Sequence, residues 1–250
     1  MTDLITPSHV PAGATPEGDA IITGDGPVRV DAFIDFLCPF CRRFELSAEP
    51  ALAELIAAGL ISLAHHPMNF LDEASTTNYS TRAAAAAGCA ADQGRFLDYA
   101  HALFLGQPPE GGPGLTDAEL ARIGHDLGLP DASFASCLTE APYLDWPPFV
   151  TARATALGVQ ATPTVLVAGT AVQPDPRAIT AAVEQAAQRR LAASTSRPPS
   201  GPSPRHPHVD RSRRRAASAG SPRGGPCRGG RCPRGGCGRR RRRPRAGSGG

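Results

Sequence analysis

Lysine is absent from all 250 residues, so the 26 basic side chains are arginine throughout. That bias fits GC-rich coding at least as well as any function. The opening text, MTDLITPSHVPAGATPEGDA, lacks a basic n-region and an apolar h-region and does not read as a signal peptide. No stretch approaches the run of about 18 apolar residues that reads as a membrane span. As the sequence stands, a cytoplasmic location is expected, and export would need a start further upstream. Bulky aliphatics are missing from the far end as well, where Leu191 and Val209 are the only ones after Arg190. Text of Arg, Pro, Gly, Ser and Ala cannot bury enough apolar surface to offset its ordering entropy. Three parts are therefore expected: a flexible segment over 1–19, one folded domain over 20–190, and a disordered basic tail over 191–250.

Charge divides at the same place. Residues 1–190 hold 10 Arg against 22 acidic residues, a net of −12, while 191–250 hold 16 Arg and one acid, a net of +15. The run Arg239 to Arg243 is an electrostatic surface for nucleic acid or acidic partners. It has no interleaved aromatics and no folded reader module, so no specific nucleic-acid partner is expected. The abrupt start of this text after a complete domain also fits a reading-frame error in GC-rich DNA. Metal chemistry is not expected either. In the part expected to fold, no second C-x-x-C and no clustered histidine pair completes a four-ligand zinc set, and Cys227, Cys232 and Cys237 lie in the tail.

The informative residues are Cys38-Pro39-Phe40-Cys41 and, far downstream, Thr162-Pro163-Thr164 before the apolar run Val165-Leu166-Val167. Val28, Val30, Ala32, Ile34 and Phe36 alternate with Arg29, Asp31, Phe33, Asp35 and Leu37, a period of two that predicts a largely buried strand. The two-cysteine motif opens a helical stretch, Arg42 to Ala57, so Cys38 is expected at a helix N-terminus. Unpaired N–H groups and aligned peptide dipoles stabilise a thiolate there, and the thiolate is the form that attacks disulfides. A second strand is expected over Ile61 to His66, stopped by Pro67. Helices follow over Ala83 to Ala91, Phe96 to Leu105, Asp117 to Leu127, Ala132 to Leu138 and Pro148 to Ala156, with Thr116 before Asp117 and Glu119 as an N-cap signal. Strands return over Pro163 to Val167 and Ala171 to Gln173, and a last helix spans Arg177 to Arg190. The order is strand, helix, strand, helical block over about 75–157, strand, strand, helix. It predicts an α/β, thioredoxin-like fold with an all-helical insertion, followed by the Arg/Pro/Gly-rich tail.

On these residues the chain resembles the DsbA-like thioredoxin superfamily, close to the actinobacterial thioredoxin-domain group, over about residues 20–190. The resemblance rests on Asp35-Phe36 before the two-cysteine motif, on Arg43-Phe44-Glu45, on Ala90-Ala91-Asp92-Gln93-Gly94-Arg95-Phe96, and on Ala161-Thr162-Pro163-Thr164-Val165. It implies a thiol-disulfide oxidoreductase in which Cys38 is the nucleophile and Cys41 the resolving thiol, one helical turn on. Pro39 and Phe40 tune the pair; neither supplies a polar donor, so the Cys38 thiol is expected nearer a pKa of about 7 than about 3.5, the two ends for such motifs. Thr162-Pro163 is implied to be a cis-proline loop whose backbone meets an extended substrate. A second, structural disulfide between Cys89 and Cys137 is also implied, and it would argue for an oxidising compartment.

One departure concerns the proton of the resolving thiol. The family's buried glutamate, six residues before the first cysteine, is replaced by Ala32. Asp31 lies on the opposite strand face and Asp35 has the opposite parity from Ala32, which leaves water or His66 to move the proton. The pair His65 and His66 otherwise reads as a solvated strand end. The expected partners are proteins carrying cysteine thiols or disulfides and a redox partner, with no cofactor. Two other functions stay open on the same residues: a transferase or isomerase linked to a low-molecular-weight thiol, and a redox-gated binding or chaperone protein.

Overall fold

The computed structural model describes residues 6–195. Five strands form one sheet in the order β1-β3-β2-β4-β5, with β1 at Ile21–Thr23, β2 at Val28–Ile34, β3 at Ile61–Pro67, β4 at Thr164–Val167 and β5 at Thr170–Val172. Central β2 runs parallel to β3 and antiparallel to β4, and β1 and β5 close the two edges antiparallel. The parallel pair needs a crossover, supplied by helix α1 at Pro39–Ala57. The C-terminal helix α7, Pro176–Thr195, packs beside α1 and against β2, β4 and β5.

Between β3 and β4 lie a 3-10 turn at Asp72–Ala74 and five α-helices: α2 at Tyr79–Ala91, α3 at Phe96–Leu105, α4 at Asp117–Asp126, α5 at Asp131–Glu140 and α6 at Trp146–Ala156. The run Ala83 to Ala87, with Gly88 and Cys89, Ala90 and Ala91, is buried throughout. A helix apolar all round belongs in a core, and its small side chains let α3, α5 and α6 approach it closely. The expected N-cap of α4 is a full capping box, in which Thr116 Oγ1 accepts from the Glu119 N–H at 3.3 Å and Glu119 Oε2 accepts from the Thr116 N–H at 2.8 Å. Cys89 of α2 and Cys137 of α5 are joined by a disulfide that closes a separation of 48 residues. A loop of that length corresponds to about 4 kcal/mol in the chain-entropy account.

Several expectations need correction. The segment expected to be flexible over 1–19 is, from residue 6, a strap laid on the domain. The Ser8 N–H donates to Asp145 Oδ2 at 2.7 Å, the Ala12 N–H donates to Asp92 Oδ1 at 2.9 Å, and Ala14 bridges to Ile21 of β1. Pro7, Pro11 and Thr15 are buried. Helix α7 runs to Thr195, five residues beyond the expected domain end at 190, and the remainder of the expected disordered tail lies outside the described residues. Pro67 does not stop β3 but is its last residue, opposite Ile34, a strand-end position where a missing N–H is tolerated. His65 and His66 are not a solvated end: both are buried, because α1 and α6 pack over β3. Among the described residues no helix is long and apolar enough to cross a membrane.

Gly26 marks the tightest packing on the way into β2. A Cβ there would lie 2.2 Å from the Ile61 backbone nitrogen, a distance relieved only by moving the backbone. Gly26→Ala is expected to cost about 2 kcal/mol, the scale of overpacking in a filled site, read as a lowered midpoint in urea at unchanged slope.

Candidate active site

Strand β2 ends at Ile34, and residues 35–38 turn the chain into α1. The Cys38 N–H donates to the Asp35 carbonyl at 3.1 Å while its own carbonyl accepts the Arg42 N–H at 3.1 Å, so Cys38 is the N-cap of α1 and Pro39 takes the first helical position. That is the position where proline loses no hydrogen bond and its fixed φ suits the helix. The exposed ring of Phe40 lies under the Arg43 guanidinium, 5.3 Å from centroid to carbon. Cys41 follows one turn on and is fully buried, with its sulfur 3.4 Å from the Asp35 N–H that donates to it.

The two thiols differ sharply. Cys38 is pulled down from an ordinary value of 9.0 to about 6, chiefly because the Cys41 thiol donates to its sulfur; burial opposes this, and the N–H groups of Cys41 and Phe40 assist it. Cys41 is pushed well above the usual thiol range by burial, and by giving its hydrogen bond to Cys38 and facing that charge. One sulfur is thus an anion near neutral pH and its neighbour holds a proton, the distribution that lets the first attack or leave and the second wait.

The loop from Ala161 to Thr164 lies across from the motif. The Thr162-Pro163 bond is cis, and the Cys38 sulfur stands 3.4 Å from the Thr162 carbonyl oxygen. Cys38, Cys41, Thr162 and Pro163 are therefore brought together from two places in the chain, Cys38 and Thr162 being 124 residues apart, while Cys89 and Cys137 form their own bond in the helical layer. Among the described residues no three His, Cys, Asp or Glu side chains are grouped to hold a metal ion.

Asp35 is the residue that strand parity set aside. Its carboxylate is fully buried, and it accepts from the Leu37 N–H at 2.8 Å, the Ser80 hydroxyl at 2.6 Å and the Leu71 N–H at 2.9 Å. Burial raises its pKa from 3.8 to about 6 against those three donors, and the negative charge on Cys38 adds to the rise. The Asp35 backbone N–H meets the Cys41 sulfur, and its carboxyl group feels the charge on Cys38. His66 is turned elsewhere, with Nε2 3.2 Å from Asp31 Oδ1 and its ring stacked at 4.1 Å on Phe33. His65 packs on Phe96, and burial, with its neighbour His66, lowers its pKa to about 4.

Known proteins agree with this geometry. The family model described as Thioredoxin matches residues 18–185. The crystal structure of oxidised DsbA from Mycobacterium tuberculosis superposes with a TM-score of 0.60 at 30% identity, covering 72% of this chain and 100% of that one. The reduced form of the disulfide bond oxidoreductase DsbG from the same organism gives 0.61 at 31% identity, over 74% and 97%. A stretch of 129 residues is 33% identical to the serine/threonine-protein kinase PknE of Mycobacterium tuberculosis; it covers 48% of this chain and only 23% of the kinase. The matched kinase extends far beyond what this chain spans. By the family match, the two full-length structural relatives and the residues at its centre, the chain belongs to the thioredoxin family, in its DsbA-like branch.

Proposed function

We propose that the protein is a thiol-disulfide oxidoreductase that exchanges its Cys38-Cys41 pair with cysteines of protein substrates. The observation that carries this reading is the unequal pair: a thiol of pKa about 6 at a helix N-terminus, one turn from a buried thiol held well above the usual range. Starting from the disulfide, a substrate thiolate attacks the Cys38 sulfur. The bond to Cys41 breaks, and Cys41 leaves with the electron pair and takes up a proton. A second substrate thiolate then attacks the substrate sulfur of the mixed disulfide, and Cys38 leaves as thiolate. Two electrons pass from the substrate pair to the protein, and the same steps reversed reduce a substrate disulfide. An acidic leaving thiol departs faster, and a stabilised thiolate favours the dithiol form, so the Cys38-Cys41 disulfide is an oxidant. The chemistry is carried by sulfur alone.

The backbone at Thr162 supports strand-like pairing with an extended peptide, and exposed Phe40 offers an apolar contact beside the sulfur. The Cys89-Cys137 disulfide supports work in an oxidising compartment, in place of the cytoplasmic location expected from the N-terminal text. Substrates are then folding proteins with free thiols, and a separate redox partner restores the disulfide. The test mixes oxidised protein with an unfolded protein carrying one cysteine pair. One substrate disulfide is expected per Cys38-Cys41 pair reduced. Substrate thiols that stay free while the pair stays oxidised would end this reading. A transferase would retain activity without Cys41, and that variant separates the two.

A further inference from the structure

The turn that delivers Cys38 is held from a second direction, by the helical layer. Gln107 follows α3, and its side-chain Nε2 donates to the Phe36 carbonyl at 2.9 Å and to the Cys38 carbonyl at 3.0 Å. A glutamine amide has two N–H donors and one oxygen; turned the other way it would set its oxygen against two carbonyls, so the contacts fix its orientation. The same helix end is tied to α1 again, because Arg42 Nε donates to the Phe104 carbonyl at 2.9 Å and the Phe104 and Phe36 rings meet at 5.1 Å. The Cys38 carbonyl also accepts the Arg42 N–H, as the first bond of α1, so its direction fixes how the helix starts. The titratable groups beside the Cys38 sulfur are Cys41 on α1 and Asp35 in the turn after β2.

We propose that Gln107 is a positioning residue of the redox centre: its amide holds the carbonyls of Phe36 and Cys38, fixes the turn that seats the Cys38 sulfur at the start of α1, and offsets two partial negative charges next to the thiolate. The proposal rests on the thiol-disulfide reading above. It makes the oxidising strength of a site built by β2 and α1 depend on a side chain from the inserted helices. Loss of the two donors leaves two carbonyl dipoles uncompensated near an anion, which favours the protonated thiol and, through it, the disulfide state.

Two variants of the full chain separate this role from a packing role. Gln107→Met keeps the length and removes the donors; Gln107→Glu removes them and adds a negative charge. The Cys38 thiolate is titrated by its ultraviolet absorbance, and the Cys38-Cys41 pair is equilibrated with reduced and oxidised glutathione. In Gln107→Met the proton affinity of Cys38 is expected to rise about three- to tenfold, the range of one or two hydrogen bonds near a charge. In Gln107→Glu it rises further, and in both the glutathione equilibrium moves towards the protein disulfide. A residue that only holds the fold together would lower the melting temperature and leave titration and equilibrium as in the wild type; either variant behaving so overturns the proposal. A wild-type protein that neither titrates below the ordinary thiol range nor equilibrates with glutathione would instead overturn the oxidoreductase reading itself.

Discussion

Cys38→Ser is expected to lose disulfide exchange entirely, and Cys41→Ser to capture substrates and fail to release them. A serine hydroxyl is neither ionised near neutral pH nor able to form the mixed disulfide, so replacing the first sulfur removes both attack and departure. The second sulfur acts later. It is buried one turn behind the first, where it can reach only a disulfide already formed on Cys38. Without it a substrate bonded to Cys38 waits for an outside thiol. Insulin reduction should fall to the uncatalysed rate in Cys38→Ser, while Cys41→Ser, incubated with a cysteine-bearing protein, should give a covalent adduct dissolved by reductant. Equal residual activity in the two variants would contradict the division of labour between the sulfurs.

The reduced protein is expected to gain about 3 kcal/mol of stability relative to the oxidised protein as pH rises from about 6 to about 9. Native Cys38 loses its proton near 6, whereas the unfolded thiol keeps it until about 9. Across that window the unfolded chain binds more protons than the native one, so unfolding becomes harder as pH rises. Each pK unit corresponds to 1.36 kcal/mol, and the figure stays below the full displacement because the buried Cys41 thiol, held above the usual range, begins to act in the opposite sense near pH 9, where its unfolded counterpart ionises. The disulfide form has no thiol to titrate and gains nothing. Asp35 acts in the opposite sense at lower pH: its native pKa of about 6 lies above the usual 3.8, so stability present below about 4 is lost as pH rises to about 6. Melting curves of both redox states between pH 5 and 9 should therefore diverge above 6, by about 5–10 °C for a domain of this size. Parallel curves would mean that the Cys38 thiolate is not stabilised by the fold.

The parts of the site readable in the sequence are those whose signal is local. Cys38 and Cys41 sit between a period-two strand and a helical stretch, and Thr162-Pro163 stands before a short apolar strand, so the residues announce their own settings. Asp35 shows where such reading fails. Parity applies only while the strand continues, and β2 ends at Ile34; in the turn that follows, the Asp35 side chain is aimed by Leu37, Leu71 and Ser80 instead. Leu71 and Ser80 lie about 36 and 45 residues on, beyond any window in which a pattern is visible. Gln107 has the same invisibility, being one polar residue in a loop whose two partners are backbone carbonyls of another element. His65 and His66 read as exposed because their own strand ends there, and of the helices that cover them α6 and the Phe96 end of α3 lie far along the chain. The strap read as loose because Pro, Gly and Ala supply no periodicity; its order comes from partners such as Asp92 and Asp145.

Those partners impose an order of assembly. The strap is the first part of the described chain to be made, yet its bonds span most of the domain: Ser8 to Asp145 across 137 residues, Gly18 to the Trp146 indole across 128, and Asp19 to Arg153 across 134. Contacts of such separation carry the largest loop-closure entropy and slow the search. During synthesis Pro11 and Ala12 can meet α2 and Asp92 early, but the bonds of Ser8, Gly18 and Asp19 wait until residues 145–153 have been made. Until then the strap is held only in its middle, by Pro11 on Gly88 of α2, by Ala12 on Asp92 and by the bridge from Ala14 to Ile21. The domain thus passes through an unfinished state of its own, and residues 8–19 are the ones that bring that state to an end.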